Sequence, residues 1–379
     1  MFSINQKGTV RKAIVVSPQK WGNMFISKHH YAVELSKLGY KVFFINPPED
    51  NKFVGTSRIM FQATEYENIT VVNHSLFFSS YIKFHIPFLH HLLIFLHRWL
   101  LLRKIGMPDL ILSFDLTNNF PLKFIQCKRI FFAADEPRNP QNYISAKNAD
   151  LIVSVSQHII DLYSNYYPRT KKLLINHGLS EEFIHLNKDS VPILSGINIG
   201  LSGNFLFNDI DYPILSRIIK ENPKVNFHFY GNITSECNLG AENNFEIQNY
   251  LVQIKQNENA IFHGILQKTD LSIALNKMDA FLICYKSELG QSSGSNSHKI
   301  LEFLSTGKLI ISTNFSFYNK TNLFSQIENR ETNNELINLF KTSIDNLDNL
   351  NSAELVLKRK LYAYENSYRK NTIKLIDAC

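Results

Sequence analysis

Short apolar runs alternate with segments whose apolar residues recur at helical spacing, and the alternation occurs in two successive blocks along the chain. In the first block "KAIVVS" (12 to 17) predicts a buried strand, "SKHHYAVELSKLGY" (27 to 40) an amphipathic helix ending near Gly39, and "KVFFINPP" (41 to 48) the next strand. A polar loop, "PQKWGN", stands at the carboxyl end of the first strand, the edge at which open α/β sheets bind ligands. "DLILSFD" (109 to 115), "RIFFAADEP" (129 to 137) and "ADLIVSVS" (149 to 156) predict further strands. They are apolar throughout, as in parallel strands covered on both faces.

Periodicity fails over "NKDSVPILSG" and resumes with "INIGLSGN", which predicts a strand. "PILSRIIKENP" follows as a helix, then "VNFHFYGN" and "NAIFHGIL" as strands, "DLSIALNKM" as a helix, "DAFLICY" as a strand, "HKILEFLSTG" as a helix and "KLIIST" as a strand. The predicted organisation is an α/β domain over 1–188, a second over 189–352, and an amphipathic helix over 353–379 that packs back on the first domain. Two consecutive Rossmann-like domains facing a cleft suit bisubstrate transfer, one holding a nucleotide and the other presenting a second substrate.

Composition agrees with a folded protein. The chain has 379 residues, 44% hydrophobic and 19% charged, with only 12 Pro and 15 Gly. A formal charge of +7 favours anionic partners without choosing among them. Cys127, Cys237, Cys284 and Cys379 are scattered without metal-ligand spacing, which predicts reduced thiols in a cytoplasm. The basic N-terminus has a strand-length apolar run and no small-residue cleavage site, so no secretion is implied.

The stretch "SNSHKILEFLSTGKLIIST" (295 to 313) carries the chemistry. A helix starting near Ser297 turns unsatisfied N–H groups toward the loop "GQSSGSNS", and such an end attracts phosphate. Lys299 lies in its first turn, where a cation is disfavoured by the helix itself. Glu302 is three residues on, so the pair is open to two readings: an exposed ion pair, or a Lys for diphosphate and a carboxylate that accepts hydrogen bonds from ribose hydroxyls.

The run "AIFHGILQKTDLSIALNKMDAFLICYKS" followed by "SNSHKILEFLSTGKLIIST" resembles the donor half of GT-B glycosyltransferases of the family 4 type. "NADLIVSVSQHIIDLYSNYYPRTKKLLINHGLSEEFIHL" and "INIGLSGNFLFNDIDYPILSRIIKENPKVNFHFYGN" resemble its other conserved segments, and surface-polysaccharide transferases of the teichuronic-acid type are the most similar. The resemblance implies GT-B architecture and sugar transfer from a nucleotide-diphosphate donor to a cell-surface polysaccharide or lipid-linked glycan acceptor, with retention. It implies that Glu302 holds the ribose, that Lys299 lies near the diphosphate and that Gly203 and Asn204 form the turn facing the phosphates; Ser295, Asn296, Ser297 and His298, at the start of the helix, are further donor-binding candidates. The family's Pro is His298 here, its phosphate Arg and Lys are missing from "SGNFLFNDID", and no Glu precedes Glu302 by eight residues.

Such a reaction needs preorganised donors at the leaving phosphate, which Lys299 and the helix end supply. No metal or cofactor is expected beyond the nucleotide sugar as co-substrate. Asp135, at the carboxyl end of a strand, is either an acid/base group or a strand-end cap; Trp21, Gly22 and Asn23 form the expected acceptor-side loop. The D-x-D pair Asp209 and Asp211 reads as a helix cap rather than a metal site, and the pairs His29/His30 and His90/His91 lack a third ligand.

The segment 84 to 105 is the most apolar helix, interrupted by His and Arg before the roughly 20 residues a membrane span needs. It is either a buried helix of the first domain or an interfacial one whose Trp99, Arg98, Arg103 and Lys104 meet head groups at the inner face of a membrane. The rival functions are a nucleotide-sugar epimerase of the same shape and a degenerate transferase kept as a binding subunit. Without a strand followed by G-x-G-x-x-G, a NAD enzyme is disfavoured, and nucleic-acid binding has only the net charge behind it.

Overall fold

The computed structural model describes residues 10–22, 25–49, 58–184, 194–233, 245–286, 296–328 and 331–379. The chain divides into two compact units, Met1–Asn176 with Tyr368–Cys379, and His177–Ser367.

The first unit runs through β1 (Lys12–Val16), α1 (Ser27–Lys37), β2 (Lys41–Ile45), β3 (Ile59–Ala63), β4 (Ile69–His74), α2 (Ile82–His85) and α3 (Pro87–Ile105). It continues with β5 (Leu110–Ser113), β6 (Lys128–Phe132), α4 (Pro140–Ile144), β7 (Leu151–Ser154), α5 (Gln157–Tyr166) and β8 (Lys171–Leu174). The strands form one sheet in the order β3-β4-β2-β1-β5-β6-β7-β8, parallel except for the antiparallel pair β3 and β4. Alternation of side chains explains why each run is apolar throughout: Ala13 and Val15 join one core with Tyr31 of α1, while Ile14 and Val16 join another with Leu101 of α3. No helix among the described residues is long and apolar enough to cross a membrane.

The second unit opens with a single 3₁₀ turn, Glu181–Phe183, followed by β9 (Ile197–Asn204), α6 (Tyr212–Glu221), β10 (Val225–Asn232), α7 (Phe245–Lys255), β11 (Ala260–Gly264) and α8 (Lys268–Leu275). It closes with β12 (Ala280–Ile283), α9 (His298–Thr306), β13 (Leu309–Ser312), β14 (Ser325–Gln326), α10 (Glu335–Asp345), α11 (Leu347–Leu350) and α12 (Ala353–Glu365). Its sheet is parallel, ordered β11-β10-β9-β12-β13-β14. Asp211 caps α6, its carboxylate accepting from the Ile214 N–H and from Asn333 Nδ2.

The end of the chain differs from the single helix expected over 353–379. It breaks after Glu365, because Asn366 and Ser367 are tied to Leu179 by a main-chain hydrogen bond and a parallel bridge. α12 stays with the second unit, and only α13 (Tyr368–Ala378) returns to the first, where Tyr368 stacks on His30 at 4.5 Å. The unit boundary falls at Asn176 rather than 188, since Leu179 and Phe183 already pack beside Leu301 and Leu304 of α9.

Arg359 of α12 fixes the far end of α9. Buried among carbonyls, it donates to Leu323 O, Gly307 O, Leu350 O and Asn351 Oδ1 at 2.7 to 3.1 Å, and desolvation lowers its pKa to about 10. Arg359→Leu takes the guanidinium away from these buried acceptors and is expected to lower unfolding stability by about 3 kcal/mol in urea titrations. A loss within experimental error would show that water replaces the guanidinium there.

Candidate functional site

In the second unit β9 and β10 both end on Gly-Asn, Ser202-Gly203-Asn204 beside Tyr230-Gly231-Asn232, with Gly203 paired to Gly231 and Asn204 to Asn232. Both glycines have positive φ, 141° and 148°. A Cβ on Gly231 would lie 1.8 Å from Gly203 O, so only glycine fits; one on Gly203 would lie 2.5 Å from Lys299 Nζ. The carboxyl edge of the sheet is thus bare backbone at these two positions. Asn204 Oδ1 turns back to accept from the Leu206 N–H, closing the turn after β9.

α9 is positioned against this edge by its apolar face. Ile300, Leu301, Phe303 and Leu304 are buried, and Phe303 stacks on Phe281 of β12 at 4.1 Å. Gly307 in the left-handed conformation ends the helix. Ser297 is the N-cap but makes no side-chain cap, so its hydroxyl leaves the first-turn N–H groups free of that partner. These constraints place Lys299 and Glu302 on the opposite, less buried face.

Lys299 does not form an ion pair with Glu302. Its Nζ donates to Ser202 O at 2.7 Å and lies 5.3 Å over the Tyr285 ring, which sets the charge at the carboxyl end of β9. An ammonium has three donors, so two more directions remain for anionic oxygens. Glu302, only partly exposed, has its pKa pushed up to about 7 by desolvation, against the pull of Lys268 and Lys299, with Glu182 adding to the rise. Lys268, first residue of α8, is lowered by burial and raised again by Glu302 and Glu182.

His298 stands 6.3 Å from His177, ring centre to ring centre. Burial lowers the pKa of His177 to about 4. His298, an exposed residue at the helix start, is pushed down by desolvation first, then by His177, Lys299 and Lys268. Both imidazoles are neutral near pH 7 and act as hydrogen-bonding groups. Asn296 is buried, and its Oδ1 accepts from the Tyr318 hydroxyl at 3.2 Å.

The expected donor-side residues Gly203, Asn204, Asn296, Ser297, His298, Lys299 and Glu302 therefore lie along one strand edge and one helix start; Ser295 lies outside the described residues. Sequence reading missed Lys268, Glu182 and His177, which come from an adjacent helix and the segment entering the unit, and the only signal was their polarity at element ends.

In the first unit Asp135 is exposed just beyond β6, and its charge acts on Lys28, a buried lysine in the first turn of α1 whose pKa burial lowers. Trp21 is packed, edge-on to Phe44 at 4.9 Å and Phe25 at 5.2 Å, with its main-chain N–H donating to Asn46 Oδ1. Gly22 borders open space, and Asn23 lies outside the described residues.

No protein-family profile matches the chain, and no curated protein matches it in sequence. Solved structures do. Sucrose-phosphate synthase from Thermosynechococcus elongatus superposes with a TM-score of 0.65 at 11% identity over 97% of this chain and 98% of that one. The E. coli trehalose-6-phosphate structure bound with UDP-2-fluoro glucose gives 0.66 at 10% over the same shares. HepE of Anabaena in complex with UDP-glucose gives 0.63 at 11%, covering 97% of this chain and all of that one. The chain therefore has the GT-B fold, two α/β units each built on a largely parallel sheet.

The raised pKa of Glu302 has a measurable consequence. The unfolded chain loses this proton near 4.5 and the folded chain near 7, so stability falls as pH rises through that window. Glu302→Gln removes the loss. Thermal unfolding is expected to show the variant more stable than wild type above pH 7 and equal to it below about 4.5; a variant less stable at pH 8 would mean that the carboxylate is a net stabiliser.

Proposed function

We propose that this protein is a GT-B glycosyltransferase of the family 4 type, in the neighbourhood of surface-polysaccharide transferases. It moves a sugar from a nucleoside diphosphate carrier held by the second unit to a glycan or lipid-linked acceptor, with retention of configuration. One observation carries the reading: Lys299 holds its ammonium at the glycine-edged carboxyl end of β9, beside the uncapped start of α9. A diphosphate there meets the backbone N–H groups of the helix, the Lys299 charge and, one helix away, Lys268. Structures of the same fold are described with UDP-glucose and UDP-2-fluoro glucose bound, which supports a nucleotide-sugar donor.

Chemically, cleavage of the sugar–phosphate bond places negative charge on the leaving diphosphate, and donors already aimed at that position lower the barrier. Glu302 accepts hydrogen bonds from ribose hydroxyls as carboxylate, so donor affinity weakens as pH falls through about 7. The departing diphosphate takes the acceptor proton, with Asp135 the protein group available for acid/base work. The protein cations carry the diphosphate charge, and the proposed reaction needs neither a metal nor an organic cofactor. The work is assigned to the cytoplasmic side, where nucleotide sugars are found.

A thermal-shift panel of nucleoside diphosphates and their sugars is the direct test, because a ligand that binds only the folded state raises the apparent melting temperature. The best ligand is expected to give a shift of several degrees that Lys299→Ala and Glu302→Ala each abolish, with the unliganded fold intact. Unchanged shifts in both variants would remove these residues from the site. Incubation with donor alone separates the rivals: transfer predicts unchanged donor, and isomerised donor would point to an epimerase.

A further inference from the structure

The long apolar helix is neither buried nor free. α3 turns Ile94, Leu101 and Ile105 inward, and also His90, His97 and Arg98; Arg98, which the interfacial reading places at head groups, is buried and donates to Pro121 O and Lys123 O at 2.5 and 2.6 Å. The outward stripe is as apolar as the inward one. Phe88 is 83% exposed, Leu92 and Leu96 about half, and Trp99 51%, recurring at the three- and four-residue spacing of one helix face. α2 adds Phe84 at 74%. A soluble surface rarely gathers so many large apolar side chains in one place.

Two features of the surroundings say what covers this face. Phe124, 77% exposed, is held outward in a left-handed conformation, φ 60°, that a bulky residue adopts at a cost. The two hydrogen bonds from Arg98 pin its loop, and its ring lies 6.3 Å from Phe95 of α3, so it extends the same patch. The second feature is charge. From residue 68 to 108 and again from 116 to 134, the segments that build this face contain no Asp or Glu. Cations border the aromatics instead: Lys83 over Phe84, Arg103 4.8 Å over Trp99 and Lys123 4.4 Å over Phe124, with Lys104 exposed beside them. Aromatic and aliphatic side chains flanked by basic groups and free of acids match a bilayer interface with anionic head groups, not a second protein surface of mixed charge.

We infer that the first unit docks on an anionic lipid bilayer through the outer face of α2 and α3 together with the Lys123–Phe124 loop, the apolar side chains entering the head-group boundary and the cations pairing with lipid phosphates. A cavity of about 220 Å³ opens beside this face, lined by Lys83, Phe84, Pro87 and His90 on one side and by Asn118 and Asn142 on the other. It gives a lipid-borne polar group a path from the bilayer surface toward the loop after β5. Docking is independent of the transfer chemistry, and its assay contains no donor, so failure of either reading leaves the other standing.

Flotation of the full chain with vesicles tests it. Vesicles of phosphatidylcholine and phosphatidylglycerol in equal parts are expected to bind the protein about tenfold or more better than phosphatidylcholine alone, and raised salt to weaken the binding. Phe88→Ser with Phe124→Ser is expected to lower binding at least about tenfold while circular dichroism stays unchanged. The chain has only two tryptophans, so Trp21→Phe leaves Trp99 as sole reporter, and its emission is expected to shift to the blue and to be quenched by brominated acyl chains. No binding to the anionic vesicles, equal binding by the double variant, or an unshifted Trp99 would overturn the proposal. So would a dimer that Phe88→Ser dissociates in protein that ignores lipid, since the face would then be a self-interface.

Discussion

The contact on which the donor-side account rests is a single ammonium lying across a strand end. Lys299 reaches Ser202 O because Gly203 offers no side chain in its way, and Gly203 can hold its positive φ next to Gly231 because neither residue has a Cβ. That bare edge faces the first turn of α9. The helix is held there by the Phe281–Phe303 stack on its inner face and by Arg359 gripping Gly307 O at its exit. A positive charge at a helix N-terminus is unfavourable for the helix alone, and a carboxyl near neutrality such as Glu302 lowers stability at working pH. Both costs are explained when an anion and a pair of hydroxyls are the intended partners, which is how local conflicts at functional sites are commonly read.

The two units divide the chemistry differently. The second gathers titratable groups of both signs, Lys268, Lys299, Glu182 and Glu302, with two imidazoles held neutral by burial. The first places its distinctive groups at the surface: a broad apolar and basic face on α2 and α3, and the exposed Asp135 beside the buried cation of Lys28. The proposed nucleotide-linked donor and membrane-carried acceptor are of opposite physical character, and this division of surfaces suits such a pair.

Much of the fold was legible because parallel strands covered on both faces leave unbroken apolar runs: β1, β2, β5, β6, β7, β9, β10 and β12 all coincide with segments read directly from the chain. The edge strands β3 and β8 were not, since an edge strand needs no such run: β3 is largely exposed and β8, "KKLL", reads as polar. The break at Asn366 was invisible for a different reason: α12 and α13 share one helical periodicity, and only the partner segment around Leu179 interrupts it. At the site, Lys299 and Glu302 stood out because both lie on one short helix, whereas Lys268 joins them only through tertiary packing. Arg98, open in the sequence between a buried helix and a lipid-facing one, is placed inside by two carbonyls that sequence spacing does not reveal.

Backbone hydrogen exchange of the full chain, with and without a saturating nucleoside diphosphate drawn from uridine, guanosine, adenosine, cytidine and thymidine, addresses the central claim directly. Diphosphate at the start of α9 predicts slowed exchange at the amides of His298 and Lys299, which Ser297 leaves uncapped, and slowing at Gly203 and Asn204. Protection confined to other segments, or none with any of the five nucleotides, would contradict it.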